Sequence, residues 1–190
     1  VKSTDDCKKY NTGTTTVAWL NRQTKTTAEA KLFSLTKQNI EATRKLIKQV
    51  GTLDDNLRMV RISSDILPVY THPDWSYVYN KPDIQTYISQ KLFEVGEISR
   101  NNNVRVSFHP GQFCVLSSDK PDVVSASIAE FEYHADMARW MGYGKTFQDM
   151  KINVHISGKL GTNGFREVYK QLSDVAKTVT VTVTASFRIS

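Results

Sequence analysis

Val104-Arg-Val-Ser-Phe108 runs directly into His109-Pro-Gly-Gln-Phe113. The first five residues alternate apolar with polar, the period-2 pattern of a strand. Pro110-Gly111 then forces a sharp turn that ends it. The same unit recurs on both sides. Leu57-Arg-Met-Val-Arg-Ile-Ser63 alternates in the same way and feeds a loop holding Pro68, Pro73 and Pro82. Ile152-Asn-Val-His-Ile156 leads into Ser157-Gly-Lys-Leu-Gly161. These strands start near 57, 104 and 152, a repeat of 47 and 48 residues that holds a strand, a helix and two loops.

The intervening segments read as helices. Apolar residues recur at helical spacing from Thr27 to Val50, with Gly51 at the C-cap position. Ile84 to Arg100 is amphipathic and stops at Asn101-Asn-Asn103. Pro121 opens a helix that runs to about Met141 and is closed by Gly142 and Gly144. A fourth, from about Gly164 to Ala176, precedes the Thr/Val alternation of Thr178 to Thr184. Residues 1–26 are polar and read as loop or a loosely docked segment. Strand and helix alternation of this kind predicts an α/β chain with a parallel sheet or barrel. At 190 residues the chain is too short for a complete eight-stranded barrel, which takes about 250.

Composition narrows the class. The net charge of +6 is spread along the chain, with no basic tail, and is a mild pointer to a polyanionic partner. Apolar runs reach four or five residues, against roughly 20 for a membrane span, so no membrane association is expected. No basic segment followed by an apolar run opens the chain, so no signal peptide is expected. Cys7 and Cys114 cannot make a disulfide framework. A reducing, cytoplasmic setting is the expectation.

Three of the four histidines share one topological address. His72 lies in the loop after the first strand, His109 follows the second, and His155 is near the end of the third. In parallel β/α folds the C-terminal strand ends converge on one face, which carries the site. Imidazoles gathered there suit a transition metal. Any one of them taken singly reads more readily as a loop histidine bonded to backbone. His134 sits inside a helix and reads as a surface or packing residue, with Glu132 and Asp136 solvated beside it. In the His109-Pro-Gly-Gln-Phe113 turn, Gln112 and Phe113 are set to protrude, an amide for a base edge and a ring for its face. The alternative is a loop whose Phe113 folds back into the core.

With these residues in place, the chain resembles the UV-damage endonuclease family of DNA-repair enzymes. Four segments carry the resemblance in order: Arg61-Ile-Ser-Ser-Asp65 with Pro68 and His72; Ser107-Phe-His-Pro-Gly-Gln-Phe113 with Val115-Leu-Ser117; Glu132-Tyr-His-Ala135; and Val154-His-Ile-Ser-Gly158. It covers about Thr14 to Ala176, the family-like core being residues 27–176. The resemblance implies a TIM-type (β/α) barrel holding divalent metals, commonly manganese (Mn2+), at its strand ends. It implies nicking of double-stranded DNA 5′ of cyclobutane dimers and (6–4) photoproducts by metal-assisted hydrolysis. His72, His109 and His155 match metal ligands, and Gln112 and Phe113 match the pair that wedges into the duplex at the lesion. A monomer is expected.

The family's first strand has no counterpart before Thr14, and residues 177–190 carry no carboxylate where the Glu-Asn-Asp segment belongs. The expectation is therefore an incomplete barrel, roughly its first half, with an unfinished metal cluster. Two other readings compete. One is a different metal-dependent barrel enzyme, of abasic-site endonuclease or sugar isomerase type; the other is an inactive fragment that still binds DNA. The protruding turn argues against a sugar enzyme, which has no use for a wedge.

Overall fold

The computed structural model describes residues 5–183. The chain divides into two compact units, the first reaching to Val106 and including Trp140–Gly142, the second made of Ser107–Arg139 and the chain from Tyr143 onward. Both are mixed α/β. The outermost parts of the two terminal segments, residues 1–4 and 184–190, lie outside the described residues.

In the first unit, a short helix α1 (Val17–Leu20) and a 3-10 turn (Asp5–Tyr10) occupy the segment that reads as loop. The long helix α2 spans Lys25–Val50. It starts two residues before the apolar pattern because Thr24 caps it, its hydroxyl accepting from Thr27 N at 3.2 Å. Ala28, Leu32, Leu35, Ile40 and Ile47 line its buried face. Gly51 does cap the helix, but with φ −63° it needs no left-handed freedom. Its requirement is space: a Cβ there would stand 2.8 Å from Asn102 Cβ.

Strand β1 is only Met59–Arg61, because a 3-10 turn at Asp55–Leu57 takes the start of the alternating stretch. Helix α3 (Pro82–Asn101) begins on a proline, and the chain turns out of it at Asn103, whose φ of 54° is left-handed. Gly96 on α3 lies against the carbonyl of Met141, 1.9 Å from where a Cβ would be. Strand β2 (Arg105–Phe108) begins in this unit, Arg105 N donating to Arg58 O at 2.8 Å.

The second unit takes up the end of β2 and most of helix α4 (Pro121–Trp140). Strand β3 (Lys151–His155) runs parallel to β2, with Ser107 opposite Lys151 and Phe108 opposite Ile152. Strand β4 (Thr180–Val183) runs parallel to β3, from Ile152 opposite Thr180 to His155 opposite Val183. The strand order follows the chain, β1-β2-β3-β4. Gly142 and Gly144, at φ 80° and 89°, end α4 as the sequence predicts.

The single helix expected over 164–176 is two, α5 (Gly161–Gln171) and α6 (Asp174–Val179). Apolar spacing runs on through Phe165, Val168, Leu172 and Ala176, which hides the break. Ser173 makes it, capping α6 through Ala176 N at 3.2 Å. Glu132 secures that cap, accepting from Ser173 N at 2.6 Å and Ser173 Oγ at 2.7 Å. Glu132 is therefore a latch between helices and not the solvated residue the sequence suggests. Asp136 behaves as expected, in a surface pair with Arg139 at 2.8 Å.

Candidate functional site

Phe108, the last residue of β2, is fully buried, so strand alternation turns the next side chain, His109, away from that core. His109 Nδ1 lies 2.8 Å from Asn153 O in the middle of β3. A carbonyl can only accept, so Nδ1 donates, and in the neutral ring the lone pair then lies on Nε2. That is the tautomer of a metal-ligating histidine whose other nitrogen is held by backbone. Two residues along β3, on the same face as Asn153, stands His155. The His109 and His155 rings meet edge to face, centroids 4.9 Å apart. Two of the three expected imidazoles are thus gathered at adjacent strand ends.

His72 belongs to the first unit and has a different setting. It closes a turn in which His72 N donates to Val69 O at 3.0 Å. Val69 itself has φ 54°, a costly conformation for a β-branched residue and a mark of a constrained loop. His72 Nδ1 accepts from Asp74 N at 3.2 Å, so its neutral ring carries the proton on Nε2, the reverse of His109. Among the described residues no group of three or more His, Cys, Asp and Glu side chains able to hold a metal ion is formed.

The loop after His109 resolves the alternative that the sequence leaves open. Phe113 is 84% exposed and does not fold back into the core. Gln112 is exposed beside it, and nothing stands within 4 Å of where a Gly111 Cβ would be. The residue that does fold inward is Cys114, whose thiol is pushed up to about 12 by burial and so stays protonated at neutral pH.

His134 is a packing residue and not a surface one. Fully buried, it meets Phe108 edge to face at 5.3 Å and Tyr133 at 5.0 Å. Its Nδ1 lies 2.7 Å from Glu130 O. Burial pushes its pKa down to about 4, against the Glu130 hydrogen bond and aided by the nearby His109.

Sequence reasoning missed two contributors here. Asn153 acts through its carbonyl, which any residue would supply, so no side-chain signal marks it. Asn39 on α2 is fully buried and binds Gly13 and the backbone of Asp65 and Ile66, ahead of the His72 turn. Its signal was a polar residue on the apolar face of α2.

Residues 3–183 match the family described as UV-endonuclease UvdE. The chain is 34% identical over 170 residues to a UV DNA damage endonuclease of Clostridium perfringens, covering 86% of this chain and 39% of that protein. It is 32% identical over 156 residues to the enzyme of that name from Bacillus mycoides, covering 82% of this chain and 45% of the other. The crystal structure of SacUVDE superposes with a TM-score of 0.71 and 26% identity, over 90% of this chain and 54% of that one. The chain therefore spans about half, or less, of the length of these relatives. No helix among the described residues is long and apolar enough to cross a membrane. The family match over residues 3–183, with relatives at 34% and 32% identity across most of the chain, shows that the chain belongs to the UV-endonuclease UvdE family.

Proposed function

We propose that this chain forms part of a TIM-type barrel endonuclease that nicks DNA 5′ of UV photoproducts. The observation that carries the reading is the exposed Phe113, with Gln112 at its side, on the loop that starts at the paired His109 and His155. Relatives bearing the name UV DNA damage endonuclease, at 34% and 32% identity, support the substrate class. The parallel β2-β3-β4 array, with helices between its strands, supports the barrel, of which the chain would supply roughly the first half.

The residues present fit part of a divalent metal site. His109 and His155 would hold the metal through imidazole nitrogen, and His72, from the first unit, is proposed as a third ligand by resemblance. Manganese is the proposed ion; when bound, it supplies Lewis-acid polarisation of the scissile phosphate and its attacking water. His72 would need the tautomer opposite to the one its Asp74 contact favours if it binds through Nε2. On the DNA side, a lesion already weakens stacking and pairing, so extruding it is easier than extruding a normal pair. Phe113 then fills the gap by stacking, and Gln112 offers an amide to the exposed base edge. Stacking of this kind is worth about 1–3 kcal/mol per base.

The test is binding and nicking, side by side, on irradiated and unirradiated DNA with manganese present. The chain is expected to prefer duplexes carrying a photoproduct, and Phe113→Ala is expected to remove most of that preference. His109→Ala is expected to keep the preference and lose manganese binding. Nicking by the 190-residue chain is expected to be weak and to rise when the chain is extended to the length of its relatives, because a metal cluster needs carboxylate bridges as well as imidazole. Equal affinity for damaged and undamaged duplex would overturn the reading.

A further inference from the structure

The exposed Gln112-Phe113 tip stands on a base that is unusually well tied. Cys114 N donates to Gly111 O at 2.9 Å, closing the turn under the tip. Cys114, Leu116 and Ser117 are all buried. Ser117 O accepts from Leu160 N at 3.0 Å, and Gly158 lies so near that a Cβ would sit 2.4 Å from that oxygen. The loop after β2 is thus stitched to the loop after β3, which begins at His155.

One side chain holds the tip from the other direction. Ser127, 1% exposed on α4, accepts from Val115 N at 2.8 Å and donates to Val123 O at 2.6 Å. The backbone carbonyl of Ser127 lies 3.5 Å from Cys114 Sγ, a second tie to the same loop. A hydroxyl has one proton to give, and Ser127 gives it to its own helix. Its oxygen is thereby aimed at the loop, so that Val115 N–H, two residues from Phe113, has a fixed acceptor. Ser127 is polar and buried on its helix, and its hydroxyl oxygen is the acceptor for the Val115 N–H.

From this geometry we infer that Ser127 is a specificity-determining positioning residue. It touches no DNA and acts by holding the Phe113 ring where a lesion leaves a gap. The inference rests on the damage-recognition reading above. A ring on a pinned loop enters the duplex without first being ordered, whereas a ring on a loose loop loses part of its stacking to that ordering. Undamaged duplex, which offers no gap, gains nothing from the pinning. The hydroxyl therefore acts on the ratio of affinities for damaged and undamaged DNA more than on general DNA binding.

The experiment is a double-mutant cycle on the 190-residue chain, using a short duplex with one cyclobutane dimer and its undamaged twin. Ser127→Ala is expected to lower the damaged-to-undamaged affinity ratio about fivefold, the effect of losing about one ordinary hydrogen bond. Affinity for the undamaged duplex is expected to stay unchanged. In the Phe113→Ala background, the same substitution is expected to have no further effect on the ratio, because the ring it positions is gone. Amide exchange gives an independent readout: Val115 N–H should exchange faster in Ser127→Ala while the α4 amides keep their protection. A ratio that Ser127→Ala leaves unchanged, or lowers equally in both backgrounds, overturns the inference alone. A wild-type chain with no preference for the dimer overturns the functional reading and this inference together.

Discussion

His134 makes the second unit sensitive to acid through one buried ring. Its ring is fully buried, and its pKa is pushed down to about 4 from 6.5, first by burial. The Glu130 carboxylate at 3.8 Å would favour the cation, but that side chain is 31% exposed and its field is screened. The nearby His109 lowers the His134 pKa further. In the unfolded chain His134 binds a proton as pH falls through 6.5, while in the folded chain it resists until about 4. Stability from this group is therefore fully present above about 6.5, declines between 6.5 and 4, and levels off below. At about 1.4 kcal/mol per pH unit, the window withdraws about 3 kcal/mol.

The perturbation is His134→Leu, which keeps an apolar ring-sized volume and removes the titration. Glu130 O loses one partner but, as a carbonyl inside α4, keeps its helical hydrogen bond. Urea unfolding of both proteins between pH 7 and 4 provides the assay. Wild type is expected to lose about 3 kcal/mol more than the variant over that window. Glu29, Glu41 and Asp149 have lowered pKa values, so their stabilisation is lost as pH falls through those values. That loss is common to both proteins and cancels in the difference. Two stability curves that run parallel from pH 7 to 4 would refute the buried, neutral histidine.

Asn39→Ala is expected to cost about 3 kcal/mol in urea unfolding, because it strands Gly13 N–H and removes the donor to the Asp65 and Ile66 carbonyls. A loss under about 1 kcal/mol would show that water replaces the amide. Gly96→Ala is expected to destabilise by about 2 kcal/mol despite the better helix propensity of alanine, because the Met141 carbonyl occupies the place of the new methyl. A raised melting temperature would refute the close approach.

What the sequence makes legible is what is local and periodic. The β2 and β3 alternation, the Pro121 start of α4 and its Gly142–Gly144 stop each depend on a few neighbouring residues, and each stands where expected. What it hides depends on distant partners. The Ser173 break between α5 and α6 is secured by Glu132, 41 residues away. Gly51 looks like a left-handed cap, and its real constraint is Asn102. His134 looks like any helical histidine until Phe108 and Tyr133 close over it. The Gln112-Phe113 turn lies between these cases, since Pro110-Gly111 dictates the turn but only the buried Cys114 next to it decides which side chain points out.

The paired imidazoles show how core packing reaches the candidate site. Nothing near His109 in sequence specifies its tautomer; the acceptor is 44 residues away on β3. Phe108, Ile152 and Val154 are buried, and the ladder sets Phe108 opposite Ile152. The next step along both strands brings His109 beside Asn153, and the pleat then puts His155 on the same face two residues on. A slip of one residue in β3 would move Ile152 and Val154 out of the core and turn His155 into it, so apolar burial forbids the slip. The register that buries three apolar side chains is therefore the same register that gives His109 its carbonyl and its neighbour. The Pro-Gly turn can only begin where β2 ends, so that register also decides from which point the Phe113 loop departs.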